Sequence, residues 1–270
     1  MTGSLSLAHA FLRRDWAIAR SYRAHFALEV VEAFVSLLLF FYLGRVVDGS
    51  KIASGTDISE GYFAFVVVGL AMMRLMQTGL TSFAFQLRRD QTTGTLEALL
   101  VTPSRQSAVI LGSATYELLT AALLGVLMVV AAVTIFGVGL TIDASSLLVL
   151  LVAIPASACL FIALGVVIAG FTIVFKEITA LLALVSSGLA VFAGVYFPIS
   201  VLPGALHGVA SALPFTWALE LLRAALLGGD VSSTKMLLLV LCAAAAVPIS
   251  FWLFDRSVAR AKRAGSLAQY

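Results

Sequence analysis

Charge is what this chain has least of. Asp, Glu, Lys and Arg make up 11% of its 270 residues, whereas a soluble domain carries about 25%. A fold that faces water on all sides is therefore excluded. No lysine follows a glycine, so there is no Walker A phosphate loop, and ATP cannot be held by this chain in that manner. Histidine is limited to His9, His25 and His207, which form no HExxH pair. That argues against a zinc peptidase, against an intramembrane Ser-His protease, and against any catalytic or metal site. Cys159 and Cys242 lie within apolar runs, where cysteine packs as a small hydrophobe. Alternating ten-residue strands are missing, which argues against an outer-membrane barrel. A basic-aromatic patch is missing too, and with it any case for nucleic acid as a partner.

Long apolar runs fill the space. The chain is 61% hydrophobic with a mean hydropathy of +1.07. Several runs exceed the roughly 20 residues that a helix needs to cross a bilayer. The expected fold is an all-α polytopic membrane protein, one transmembrane domain over residues 1–270. Residues 4–25 alternate Arg13, Arg14, Arg20 and Arg23 with Phe11, Trp16, Ile18 and Tyr22, a pattern suited to an amphipathic helix in the membrane interface. Six spans are expected at about 26–47, 62–86, 106–138, 147–175, 178–197 and 236–254. Residues 198–235 are too apolar for a loop, yet Pro198, Pro203 and Pro214 cut them into pieces too short to span. Two short re-entrant helices, about 202–211 and 215–226, are expected there, because irregular backbone at membrane depth must be buried in protein or line a cavity.

Basic residues set the orientation. With both termini cytoplasmic, the inner segments hold Arg13, Arg14, Arg20, Arg23, Arg88, Arg89, Arg105, Lys176, Arg256, Arg260, Lys262 and Arg263. The outer segments hold only Arg45, Lys51, Arg223 and Lys235. The implied location is the cytoplasmic membrane of a prokaryotic cell.

Two polar features stand out against this background. Residues 88–103, RRDQTTGTLEALLVTP, form a cytoplasmic island between the second and third spans. Gly94 is a permissible N-cap, Glu97 sits at the position of a capping-box carboxylate, and Leu96, Leu99 and Leu100 share a face. Thr102 and Pro103 start the next helix. A helix of roughly seven residues is unstable alone, so this one must dock on something. The second feature is intramembrane charge. Arg74 and Glu117 both fall at a depth of roughly 16 to 20 Å from the inner ends of their spans, which predicts an ion pair between spans two and three. Glu29 and Glu32 share a face of span one, within reach of Arg20 or Arg23.

The elements TTGTLEALLVTP and FPISVLPGALHGVASALPFTWALELLRAALLGG, placed after spans two and five, resemble the membrane subunits of type 2 ATP-binding-cassette exporters. That resemblance covers nearly the whole chain. It implies that Gly94 to Val101 is a coupling helix seated in a separate ATP-binding subunit. Arg89 and Glu97 would make the polar contacts, Thr95 would open the helix, and Leu96, Leu99 and Leu100 would make the apolar ones. Lys176 and Glu177, in the other inner turn, would touch the same partner. The order Arg88, Arg89, Asp90 departs from the acidic-basic-acidic pattern usual in the family. The short helices, with Tyr196, Phe197, Pro198, Pro203, Pro214, Glu220 and Arg223, would form an outer gate. The resemblance further implies two ATP-binding and two permease subunits, with ATP and Mg held by the partner and no cofactor in this chain.

The function so implied is ATP-driven outward movement of an apolar or amphipathic cargo, such as a drug, lipid or lipid-linked glycan, by alternating access. Closure of the partner dimer would shift spans one, two and five at the permease interface. Two other readings fit the residues. An ion-coupled secondary transporter would use Arg74 and Glu117, although no three-plus-three repeat is visible. A membrane anchor for a signalling ATPase would assemble in the same way and move nothing.

Overall fold

The computed structural model describes residues 23–46, 61–92, 106–174 and 179–263, which are helical with no strand among them. Residues 4–22 of the expected interface helix, residues 93–103 of the coupling segment 88–103 (Gly94 through Pro103 among them), and Lys176 and Glu177 lie outside the described residues. So does the side chain of Arg89. In chain order the helices are α1 (Arg23–Val46), α2 (Tyr62–Thr92), α3 (Gln106–Thr134), α4 (Ala144–Val174) and α5 (Thr179–Phe192). A 3-10 turn (Ile199–Val201) follows, then α6 (Gly204–Ala212), α7 (Pro214–Leu227) and α8 (Ser233–Arg263). Helices α1 to α4 and α8 are long and apolar enough to cross a membrane. The α6–α7 pair is bent by 80° and makes a sixth span only if counted as one broken helix.

Helix α2 is the hub. It packs against α1, α3, α4, α5 and α7, and Val66, Met76, Leu80 and Ala84 on it are fully buried. It crosses α4 at a glycine pair. A Cβ on Gly165 would collide with the carbonyl oxygen of Gly79, so only glycine lets the two backbones approach this closely. The longest helix contact joins α4 to α8. There Val166, Ala169, Phe254 and Val258 bury one another. Helix α1 is peripheral, with Leu28, Val31, Val35, Leu39 and Tyr42 facing outward.

Helix ends depart from the expected spans at several places, three of them for a visible local reason. The candidate span in α2 is Tyr62–Phe85, close to the expected 62–86, and the helix runs on past it to Thr92, because Leu-Arg-Arg-Asp-Gln carries mostly good helix formers. Span three stops at Thr134 rather than 138. Gly137 takes φ +72°, a left-handed turn after the helix end, and the Val138 N–H donates back to the Ala132 carbonyl at 3.1 Å. Span five is 14 residues long, about 21 Å, and ends at Phe192 instead of 197. Gly194 at φ +73° turns the chain there. The two short helices expected after it are present, at Gly204–Ala212 and Pro214–Leu227.

Candidate functional site

The site is built where α5 ends. Pro214 occupies the first turn of α7, where its missing N–H costs nothing and its fixed φ suits a helix. The Trp217 indole N–H donates to the Ser211 carbonyl at 2.7 Å, pinning α6 to α7 across the bend. Helix α7 then turns Phe215, Leu219, Leu222 and Leu226 inward, and Arg223 with them. That arginine is only 4% exposed.

A buried guanidinium must find acceptors, and this one finds backbone. Arg223 Nε donates to the Phe65 carbonyl at 3.2 Å. Its Nη2 donates to the carbonyls of Gly194 and Val195 at 2.9 and 3.1 Å. The guanidinium carbon lies 3.4 Å from the centre of the Phe65 ring, a cation–π contact strengthened by the absence of water. The two carbonyls just past α5 sit at the negative end of its dipole, which favours a cation. Gly69, one turn along α2 from Phe65, makes room. A Cβ there would overlap the Val195 oxygen and come within 3.0 Å of Arg223 Nη2.

Next in the turn, Tyr196 stacks on Phe40 of α1, centroids 5.7 Å apart and planes 12° apart. Its hydroxyl donates to Met73 Sδ of α2 at 3.1 Å. One arginine and one tyrosine thus tie α7 and the end of α5 to α1 and α2. The other expected gate residues divide. Phe197 is half-buried and Pro198 buried beside the knot, while Pro203 at the start of α6 is exposed. Glu220, one turn before Arg223, pairs instead with Lys235 at the start of α8, Oε2 to Nζ 2.5 Å.

Among the intramembrane charges, Arg74 has a partner on α1. Arg74 Nη2 lies 2.9 Å from Glu32 Oε2 of α1. Glu32 therefore answers Arg74. Gly125 of α3 packs on Ala71 of the antiparallel α2, which sets Glu117 level with residue 79, about 7 Å along the axis from Arg74.

Sequence reasoning missed Gly69, Phe65, Phe40, Met73 and Lys235. Gly69 alone left a signal, as a glycine in a helix interior that needs a packing reason. Outside the spans, Asp143 caps α4. Its Oδ1 accepts from the Ser146 N–H and the Ser145 hydroxyl, each at 2.7 Å. Those bonds, the Ser146 amide first, hold its carboxyl down at about 2. Among the described residues no cluster of His, Cys, Asp and Glu could hold a metal ion.

Comparison with individual curated proteins returns no match. A family comparison does: the model of the ABC-2 type transporter family fits residues 7–227, from the N-terminal segment through the end of α7. The first sequence element that suggested the resemblance falls inside that range, as do all but the last two glycines of the second and the whole Arg223 knot. The chain belongs to the ABC-2 type transporter family, as a membrane permease subunit of an ABC transporter.

Proposed function

We propose that this permease moves an apolar or amphipathic cargo (drug, lipid or lipid-linked glycan) outward by alternating access, driven by a separate ATP-binding subunit. Family membership implies such a partner, with catalysis in that subunit and not in this chain. In the working complex two ATP-binding subunits, holding ATP and Mg, serve two permease subunits, as a homo- or heterodimer. Both termini face the cytoplasm of a prokaryotic cell, in accord with the basic residues.

One observation supports the mechanism above others. Helix α2 is unbroken from Tyr62 to Thr92, about 46 Å. Near one end it carries Phe65 and Gly69, in the Arg223 knot. Its other end leads directly into Gly94 to Val101. A displacement of that segment, docked through Glu97, Leu96, Leu99 and Leu100 and supported by Arg89, Lys176 and Glu177, is carried along a stiff rod to the turn holding Tyr196. Packed helices shift as bodies rather than deform, so the knot moves with α2 and takes α7 along. Cargo leaves past Tyr196, Phe197 and the short helices.

The test is purification of the tagged chain from its native membrane, with a Glu97→Arg variant beside it. A stoichiometric P-loop ATPase is expected with the wild type and not with the variant. A chain that emerges alone in both cases would sink the coupling reading.

A further inference from the structure

Helices α3 and α4 are consecutive in the chain yet are not packed along each other. Helix α3 lies on α2, while α4 lies on α2, α7 and α8. The wedge between them holds a cavity of about 430 Å³, the size of a small-ligand pocket. Its back wall is Ala71, Met72 and Leu75 of α2, and its floor is Leu222 and Leu226 of α7. Gly125 and Ala122 on α3 leave the space, because neither offers a side chain to fill it.

Water does not suit this cavity. A buried water needs two to four polar partners. Thr134 is the one lining residue with a polar side chain, and its hydroxyl donates to the Val130 carbonyl at 2.8 Å. Left empty, a void of this size in a packed protein is costly. The mouth says what lies outside. Val126, Val130 and Ile142 border the cavity and are exposed, the first two within a candidate membrane span. The medium at the mouth is therefore hydrocarbon. At one end, where Thr134 and Ile142 line the space, the chain turns polar with Thr141, Asp143 and Ser145, and the Asp143 carboxylate is ionised at neutral pH. An apolar bore with a polar, negatively charged end complements an amphiphile whose headgroup is not anionic.

We propose that the α3–α4 cavity binds one acyl chain of a zwitterionic bilayer phospholipid, entering sideways from the leaflet beside the α3–α4 connection. The lipid is resident: it fills the wedge and keeps α3 and α4 apart. The site lies within one subunit and does not rest on the transport mechanism above.

The complex, as it purifies from its own membrane, is reconstituted in phosphatidylethanolamine vesicles. These contain a phosphatidylcholine with a photo-activatable diazirine in its acyl chain. Adducts are mapped after illumination, with and without ATP. Met72 and Leu222 are each 4% exposed, so a lipid merely lining the outer surface does not reach them. Adducts are expected on Met72, Leu222 and Leu226 as well as on Val126 and Val130, unchanged by ATP. Ala122→Phe fills the space and should abolish the first set while keeping the second. Val129→Phe fills the same space from two turns further along α3, so misfolding of one variant leaves the test standing. Adducts confined to Val126, Val130 and Ile142 would overturn the site. Inner adducts that persist in the folded filling variants would do the same. Inner adducts that disappear under ATP would assign the chain to transported cargo and overturn a resident lipid.

Discussion

Arg223 is a buried cation held by three carbonyls and a ring. Lysine cannot replace it, because a point ammonium lacks the planar fork that spans Phe65, Gly194 and Val195. Arg223→Met leaves those acceptors without their donor and should cost about 3 kcal/mol or more. Gly69→Ala pushes the Val195 carbonyl away and should cost about 1–3 kcal/mol by overpacking. Both are read as a lowered thermal midpoint in detergent, and a Gly69→Ala protein as stable as wild type would contradict the described packing. Asp143 gives a pH effect with a definite sign. Its folded-state carboxyl sits at about 2, below the ordinary value of 3.8. Its contribution is thus complete above about pH 4 and is lost as pH falls toward 2. The stability margin of wild type over Asp143→Asn should shrink across that window, as measured by unfolding midpoints at each pH. A margin that stayed constant would mean that the carboxylate is not the capping form.

Among the elements, α1 and α2 are joined by an ion pair in apolar surroundings, Arg74 with Glu32. Glu32 is 67% exposed in the single chain and Arg74 21%, so the pair sits at the rim of the α1–α2 contact. Reversing either charge sets like charges together at membrane depth and should cost on the order of 2–3 kcal/mol. The double reversal Glu32→Arg with Arg74→Glu should recover most of the loss of folded protein. A double reversal no better folded than either single change would mean that the pair does not hold α1 to α2. Helix α5 shows a second consequence of element geometry. It ends at Phe192, and the turn that follows supplies the two carbonyls Arg223 needs.

At the scale of the whole molecule, a peripheral α1, a central α2 and the bent α6–α7 pair form one connected body through Tyr196 and Arg223. Loss of the ATP-binding partner in Glu97→Arg and loss of the knot in Arg223→Met should therefore differ. The first leaves a folded, unpartnered permease, the second a destabilised one. Much of this body is legible from the chain. Helical class, the positions of the long helices and the proline-bounded short pair follow from composition and punctuation, because hydrocarbon admits only helices with satisfied backbones. The family elements follow from contiguous residues, and their spacing in the chain is enough to recognise them. Partner choice is different. Glu32 for Arg74, Lys235 for Glu220, and Gly69 beneath Arg223 depend on how far each helix slides past its neighbour. A shift of one turn, 5.4 Å, exchanges one partner for another at little change in hydrophobic burial. Apolar periodicity fixes which face of a helix is buried but not its axial register. That register is set by the close crossing of Gly79 with Gly165 and the seat of Gly125 on Ala71, contacts between residues distant in sequence that only the folded molecule brings together.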